Sequence, residues 1–140
     1  MAPLAAARDV RLEHLAPVDP PFASFDPDRM AQVLTNLVGN AVSVSDPGAT
    51  VTMRVVAGDD AVGIDVEDRG PGISEADRER VWEKFLRVES GTAARTHGTG
   101  IGLPLARALV EAHGGTIDFA TRVGEGTTFH VRIPRRFGMA

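Results

Sequence analysis

Apolar side chains recur along this chain with two periods, and the switches between them lay out an order of elements. Val10 and Leu12 alternate with Arg11 and Glu13, which predicts a short strand from Val10 to Leu15 before Pro17, Pro20 and Pro21 interrupt it. Asp26-Pro27 reads as a helix cap followed by a proline at the first helical position. Met30, Val33, Leu34, Leu37, Val38 and Ala41 then recur at helical spacing, predicting a helix as far as Ser45. Asp46-Pro47-Gly48 ends it, and strand-like runs at Thr50–Val56 and Val62–Val66 flank the turn around Gly58-Asp59-Asp60. Ser74-Glu75-Ala76-Asp77 resembles a helix entry, and Arg78–Leu86 is predicted as a short helix with Val81, Trp82 and Phe85 on its apolar side. A polar, irregular stretch, Glu89–His97, leads to a glycine run and to a predicted helix from Gly102 to His113, which Gly114-Gly115 stops. Thr116–Ala120 and Thr127–Ile133 form a last predicted hairpin about Gly124-Glu125-Gly126. Antiparallel neighbours with helices grouped between them predict an α+β chain, a two-layer α/β sandwich and not a doubly wound parallel sheet.

Composition narrows the picture. A chain of 140 residues, 43% hydrophobic and 24% charged, has material for one core, so one domain spanning 1–140 is expected, with its core at about 10–134. The net charge of −4 supplies no basic field to attract nucleic acid or anionic lipid. Cysteine is absent, which excludes disulfides, thiol chemistry and zinc-thiolate sites and fits a reducing compartment. No apolar run approaches the ~18 residues of a membrane span, so a soluble domain is expected. Strand-like sequence almost directly after Met1-Ala2-Pro3 suggests a domain taken from a longer chain.

Four stretches could carry chemistry. In His97-Gly98-Thr99-Gly100-Ile101-Gly102-Leu103-Pro104, glycines at alternate positions open onto a helix. Bare backbone and a helix start suit a phosphate, because N–H groups are unpaired there and the dipole is favourable. The spacing is neither the dinucleotide fingerprint nor a P-loop, and no strand precedes it. On the first helix Gln32, Asn36 and Asn40 stand four apart, which stacks three carboxamides on one line. Their oxygens are hard donors suited to Mg²⁺, and the same line also fits a solvated helix face. Asp68 ends a half-buried strand at Gly70-Pro71-Gly72; a buried carboxylate asks for a donor such as adenine's exocyclic amine, although an Asp-initiated turn has the same sequence. Arg87 and Arg95 could contact polyphosphate. Of the histidines, His113 suits a helix end, where a partly cationic ring favours the dipole, while His14, His97 and His130 have no acid or second ligand at metal spacing.

The order of these signals is more specific than any one of them. Asn36-Leu37-Val38-Gly39-Asn40-Ala41, Asp68-Arg69-Gly70-Pro71-Gly72-Ile73, Trp82-Glu83-Lys84-Phe85-Leu86-Arg87-Val88, Gly98-Thr99-Gly100-Ile101-Gly102-Leu103 and Gly124-Glu125-Gly126-Thr127-Thr128-Phe129 follow one another from about Val10 to Pro134. This order resembles the catalytic, ATP-binding domain of bacterial sensor histidine kinases. The resemblance implies the Bergerat fold: a mixed, mostly antiparallel sheet faced by three main helices, with a lid over the nucleotide. It implies ATP and Mg²⁺ as cofactors. By the same resemblance Asn36 and Asn40 hold magnesium and phosphate and, with Arg87, carry catalysis. Asp68 accepts from the adenine amine, and Gly70, Gly72 and Ile73 line the base pocket. Phe85 packs the lid, Gly98, Thr99, Gly100, Ile101, Gly102 and Leu103 form its phosphate end, and Thr128 stands near adenine and Asp68. Gln32 falls where related ATPases place a water-activating glutamate; an amide is no general base, which favours phosphoryl transfer over hydrolysis.

The implied partner is the dimerisation and histidine phosphotransfer domain of the same kinase, with a response regulator reached indirectly. A cytoplasmic, monomeric domain making no contact with membrane or nucleic acid is expected. None of the four histidines lies in a phospho-acceptor context, so the acceptor belongs elsewhere and the domain alone should bind ATP and transfer little. Two positions depart from the family pattern: Ser43 and Val44 stand where a Lys or Arg and then an aromatic or His are usual. The missing cation and stacking group should weaken ATP binding. A stand-alone serine/threonine kinase of the anti-sigma type and a nucleotide-binding module whose chemistry has lapsed are the two rival readings.

Overall fold

The computed structural model describes residues 9–17, 25–83 and 102–135. Five strands, β1 (Arg11–Leu15), β2 (Thr50–Ala57), β3 (Ala61–Asp68), β4 (Thr116–Arg122) and β5 (Gly126–Pro134), make one sheet in the order β1-β2-β3-β5-β4. β1 runs parallel to β2 at one edge, and the other three pairings are antiparallel. Among the described residues two α-helices, α1 (Pro27–Ser43) and α2 (Gly102–Ala112), pack on one face. The sandwich is therefore the expected two-layer α+β arrangement with a mixed sheet.

Each α1 terminus has a local cause. Asp26 Oδ1 accepts from the Asp28 and Arg29 amides at 2.9 and 3.4 Å, and Pro27 starts the helix. At the far end the buried Ser43 and Ser45 hydroxyls donate to the carbonyls of Asn40 and Ala41 at 2.8 and 2.7 Å. These side chains satisfy last-turn acceptors, and the helix stops at Ser43, two residues before the expected end.

Strand alternation sends Val51, Ile64, Val66, Ile117, Phe129, Val131 and Ile133 into the core against Val33, Leu37, Val38, Ala41 and Val42 of α1 and Ala106 and Val110 of α2. Over the described part of the helix expected at Arg78–Leu86 there are 3₁₀ turns instead, Glu75–Asp77 leading into Arg80–Trp82, and residues 84–86 lie outside the described residues. Trp82 leaves that turn to stand edge-on to Phe129, ring centroids 6.0 Å apart, and the Arg107 guanidinium lies 5.0 Å from its ring centre.

Two histidines have partners that sequence spacing does not supply. His113 Nε2 accepts from the Asp26 amide at 3.3 Å, Nδ1 donates to the Leu109 carbonyl at 2.8 Å, and the ring stacks on Phe25 at 3.6 Å. The ring thus joins the start of α1 to the end of α2. His130 does have an acid beside it. Its Nδ1 lies 2.8 Å from Asp65 Oδ1 on the sheet's outer face, where the two residues are register partners.

Candidate functional site

The C-terminal end of β3, the N-terminal end of β5 and the last turn of α1 converge on Asp68. Asp68 continues the inward register of Val62, Ile64 and Val66, so a carboxylate takes the place where the pattern calls for an apolar side chain, and it is only 4% exposed. Its Oδ1 accepts from the Gly70 amide at 2.8 Å. Burial pushes its pKa up to about 6, against the lowering effect of the Gly70 and Thr127 backbone N–H groups, and Glu67 raises it further. An ionised carboxylate has about four lone-pair directions, so two backbone donors leave capacity for another donor.

Glycines let the backbone close in around it. A Cβ on Gly70 would stand 2.9 Å from the Val44 carbonyl and 3.1 Å from Asp68 Oδ1, so α1's end lies directly on the turn. Gly72, at φ +77°, would place a Cβ 2.5 Å from the Arg122 carbonyl. Ile73 packs against the core while its amide donates to Thr121 Oγ1 at 2.8 Å. Val44 stands against Gly70 with its Cγ2 3.2 Å from where a Cβ would be, an aliphatic wall where the family pattern puts a ring. Ser43 is buried and bonded to its own helix, so this position offers no cation.

The carboxamide line divides. Gln32 Oε1 accepts from Arg29 Nη1 at 3.3 Å on the exposed side, whereas Asn36 Nδ2 is buried and has no hydrogen-bond partner among the described residues. Gly102, the first residue of α2, faces it: a Cβ there would lie 3.9 Å from Asn36 Cγ. Asn40 follows one turn later, its carbonyl taken by Ser43 and Val44. A buried amide without a partner fits a phosphate oxygen through its N–H, and with the amide turned over its oxygen fits a hard cation.

Thr128 needs correcting. It pairs with Glu67, and Thr127 pairs with Asp68. Side chains alternate along a strand, and Phe129, Val131 and Ile133 point into the core, so Thr127 faces Asp68 and Thr128 faces the other side of the sheet. Counting back two from the apolar Phe129 would have identified Thr127 from sequence. Thr121, brought to the turn from β4, has no such signal. Leu103 packs against the core at the start of α2. Phe85, Arg87, Gly98, Thr99, Gly100 and Ile101 lie outside the described residues.

A buried carboxylate, and an amide nitrogen with no partner among the described residues, thus lie between a glycine-lined turn and the helix layer of a mixed sheet. The sequence profile of the histidine kinase-, DNA gyrase B-, and HSP90-like ATPases matches residues 25–136, and the chain belongs to that family. Among curated relatives, the circadian input-output histidine kinase CikA of Synechococcus elongatus is 40% identical over 111 residues, covering 79% of this chain and 15% of CikA. Sensor protein SrrB of Staphylococcus aureus is 35% identical over 112 residues, 80% of this chain and 19% of SrrB. The chain thus spans under a fifth of the length of these relatives. Among solved structures, full-length ShkA in complex with AMPPNP superposes at TM-score 0.82 with 28% identity over all of this chain and 28% of that one. The catalytic domain of histidine kinase ThkA superposes at 0.81 with 24% identity, covering 96% and 86% of the two chains, a likeness of fold. No helix among the described residues is long and apolar enough to cross a membrane.

Proposed function

We propose that this domain binds Mg-ATP and donates the γ-phosphate to a histidine on a separate dimerisation domain of the same kinase, in a two-component relay ending at a response regulator. The domain spans the whole 140 residues, belongs to a longer sensor kinase and works in the cytoplasm. The observation that carries the reading is Asp68: a carboxylate 4% exposed, bonded to backbone N–H at Gly70, on a turn whose glycines are pressed against α1 and the β4–β5 hairpin. Adenine's amine is a donor that such an acceptor selects, and a group presenting only acceptors there leaves the carboxylate unpaired.

Asn36 and Asn40 would hold the magnesium ion through their amide oxygens, and the unpartnered Asn36 Nδ2 would donate to a phosphate oxygen. When bound, Mg²⁺ neutralises charge on the phosphate oxygens. The chain's own share is positioning. Asp68 and the Gly70–Ile73 turn fix the base, and α1 and the start of α2 bring amide groups to the phosphates. Gln32, an amide tied to Arg29, offers no base to activate water. Transfer breaks the bond between the γ-phosphorus and its bridging oxygen, releases ADP and forms a P–N bond on the partner domain.

Calorimetry with a non-hydrolysable ATP analogue, with and without Mg²⁺, tests the binding half. Magnesium-dependent binding is expected, and it is lost in Asn40→Ala while circular dichroism stays unchanged. No binding at millimolar nucleotide overturns the reading. Mixing the chain with its dimerisation helices and radiolabelled ATP tests the transfer half, an acid-labile phosphohistidine being the expected product.

A further inference from the structure

β3 leaves the sheet after Asp68, and the chain from Arg69 to Ser74 lies on the β4–β5 hairpin. Two hydrogen bonds hold it there: the Gly124 amide donates to the Pro71 carbonyl at 2.8 Å, and the Ile73 amide donates to Thr121 Oγ1 at 2.8 Å. Backbone contact fixes the separation, since a Cβ on Gly72 would strike the Arg122 carbonyl and one on Gly126, at φ +126°, would strike the Asp68 carbonyl. Van der Waals contact alone does not fix how the turn is aligned along the hairpin.

Thr121, beside the Gly124–Pro71 hydrogen bond, is the side chain that bears on that alignment. Its Oγ1 lies 2.8 Å from the Ile73 amide, 3.1 Å from the Gly126 carbonyl and 2.8 Å from Thr127 Oγ1. An amide only donates and a carbonyl only accepts, so a hydroxyl between them satisfies both. With its single proton given to Gly126, Thr121 has lone pairs for the Ile73 N–H and for the Thr127 hydroxyl proton. Thr127 is then turned toward Thr121, on the strand position that faces Asp68. One side chain thus ties the far end of the turn to the residue paired with Asp68.

We propose that Thr121 is a positioning residue of this site: its hydroxyl aligns the Asp68–Ile73 turn on the β4–β5 hairpin and so aims Asp68 at the base, without touching the nucleotide. The inference rests on the reading of Asp68 as the base acceptor. Thr121→Val keeps the β-branched shape suited to a strand and removes the hydroxyl, whereas Thr121→Ser keeps the hydroxyl. Two quantities are read: amide exchange at Ile73 without nucleotide, and ATP-over-GTP preference by calorimetry.

In Thr121→Val exchange at Ile73 should quicken about tenfold and the ATP preference should fall about tenfold, with Thr121→Ser close to wild type in both, since a site built on one hydrogen bond discriminates through its geometry. If Thr121→Val does not fold, Thr121→Ala carries the same comparison. A Val or Ala variant with unchanged exchange and preference overturns the role of Thr121. So does a Ser variant that fails to restore them, which would mark a packing role alone. A wild-type chain that binds ATP and GTP equally overturns the Asp68 assignment, and with it the nucleotide half of the proposal, whatever the exchange at Ile73 shows.

Discussion

At the Asp68 end of the site the polar groups have partners within the protein, whereas at the Asn36 end a buried amide nitrogen has none among the described residues. The Asp68 turn is pressed onto α1 at Gly70 and onto the hairpin at Gly72 and Gly126, so its shape exists before any ligand arrives. Asn36 sits between α1 and the first residue of α2, where a partner would have to come from a ligand. A buried polar group left unpaired costs about 1–3 kcal/mol, so keeping one is a cost that binding can recover. Preorganisation at one end and an unmet hydrogen bond at the other suit a ligand with a flat, donor-bearing head and an oxygen-rich tail.

The largest effect should come from breaking the packed end at its tightest point. Gly126→Ala forces a Cβ into the Asp68 carbonyl from a positive φ, and should cost roughly 3 kcal/mol or more in chemical denaturation while abolishing nucleotide binding. Retention of both would show that the turn can shift off the hairpin.

Asp68→Asn separates recognition from stability. The site should lose its preference for ATP over GTP, with ATP affinity down about a hundredfold by calorimetry, because the amide presents a donor as well as an acceptor. Stability should move the other way. The folded pKa of about 6 lies above the ordinary carboxylate value of 3.8, so Asp68's contribution is fully present below pH 3.8 and is lost as pH rises through about 6. At 1.36 kcal/mol per unit this approaches roughly 3 kcal/mol, so Asp68→Asn should be the more stable protein at pH 8 and lack that slope in urea titrations. Nucleotide binding that pairs the ionised carboxylate should also release a proton near pH 6. Calorimetry in buffers of different ionisation enthalpy reads that release, and its absence would count against the carboxylate meeting a donor.

The smallest change in stability belongs to the other end. Asn36→Ala relieves the cost of the unpartnered Nδ2 but gives up the side chain's packing, so the two offset and thermal unfolding should shift by less than about 1 kcal/mol while nucleotide affinity falls about tenfold. A large loss of stability would instead make Asn36 a structural residue and erase the contrast between the two ends.

Much of this was legible in the chain. The Asp26-Pro27 cap, the helical spacing from Met30 to Ala41, the four hairpin-forming runs and the Asp68-Gly70-Gly72 turn depend on residues within a few positions of one another, and local backbone preference is enough to set them. The four-residue spacing of Asn36 and Asn40 put both on one side of a helix in advance of any coordinates. Tertiary structure alone decided which groups meet across the sheet. It paired Asp68 with Thr127 in place of Thr128, because a shift of one residue in register moves a side chain to the opposite face. It set His130 beside Asp65, made His113 a link between two helices, and carried Thr121 to an amide 48 residues away. Periodicity along a chain says which face a residue shares with its neighbours; only the order and register of the strands say what stands opposite.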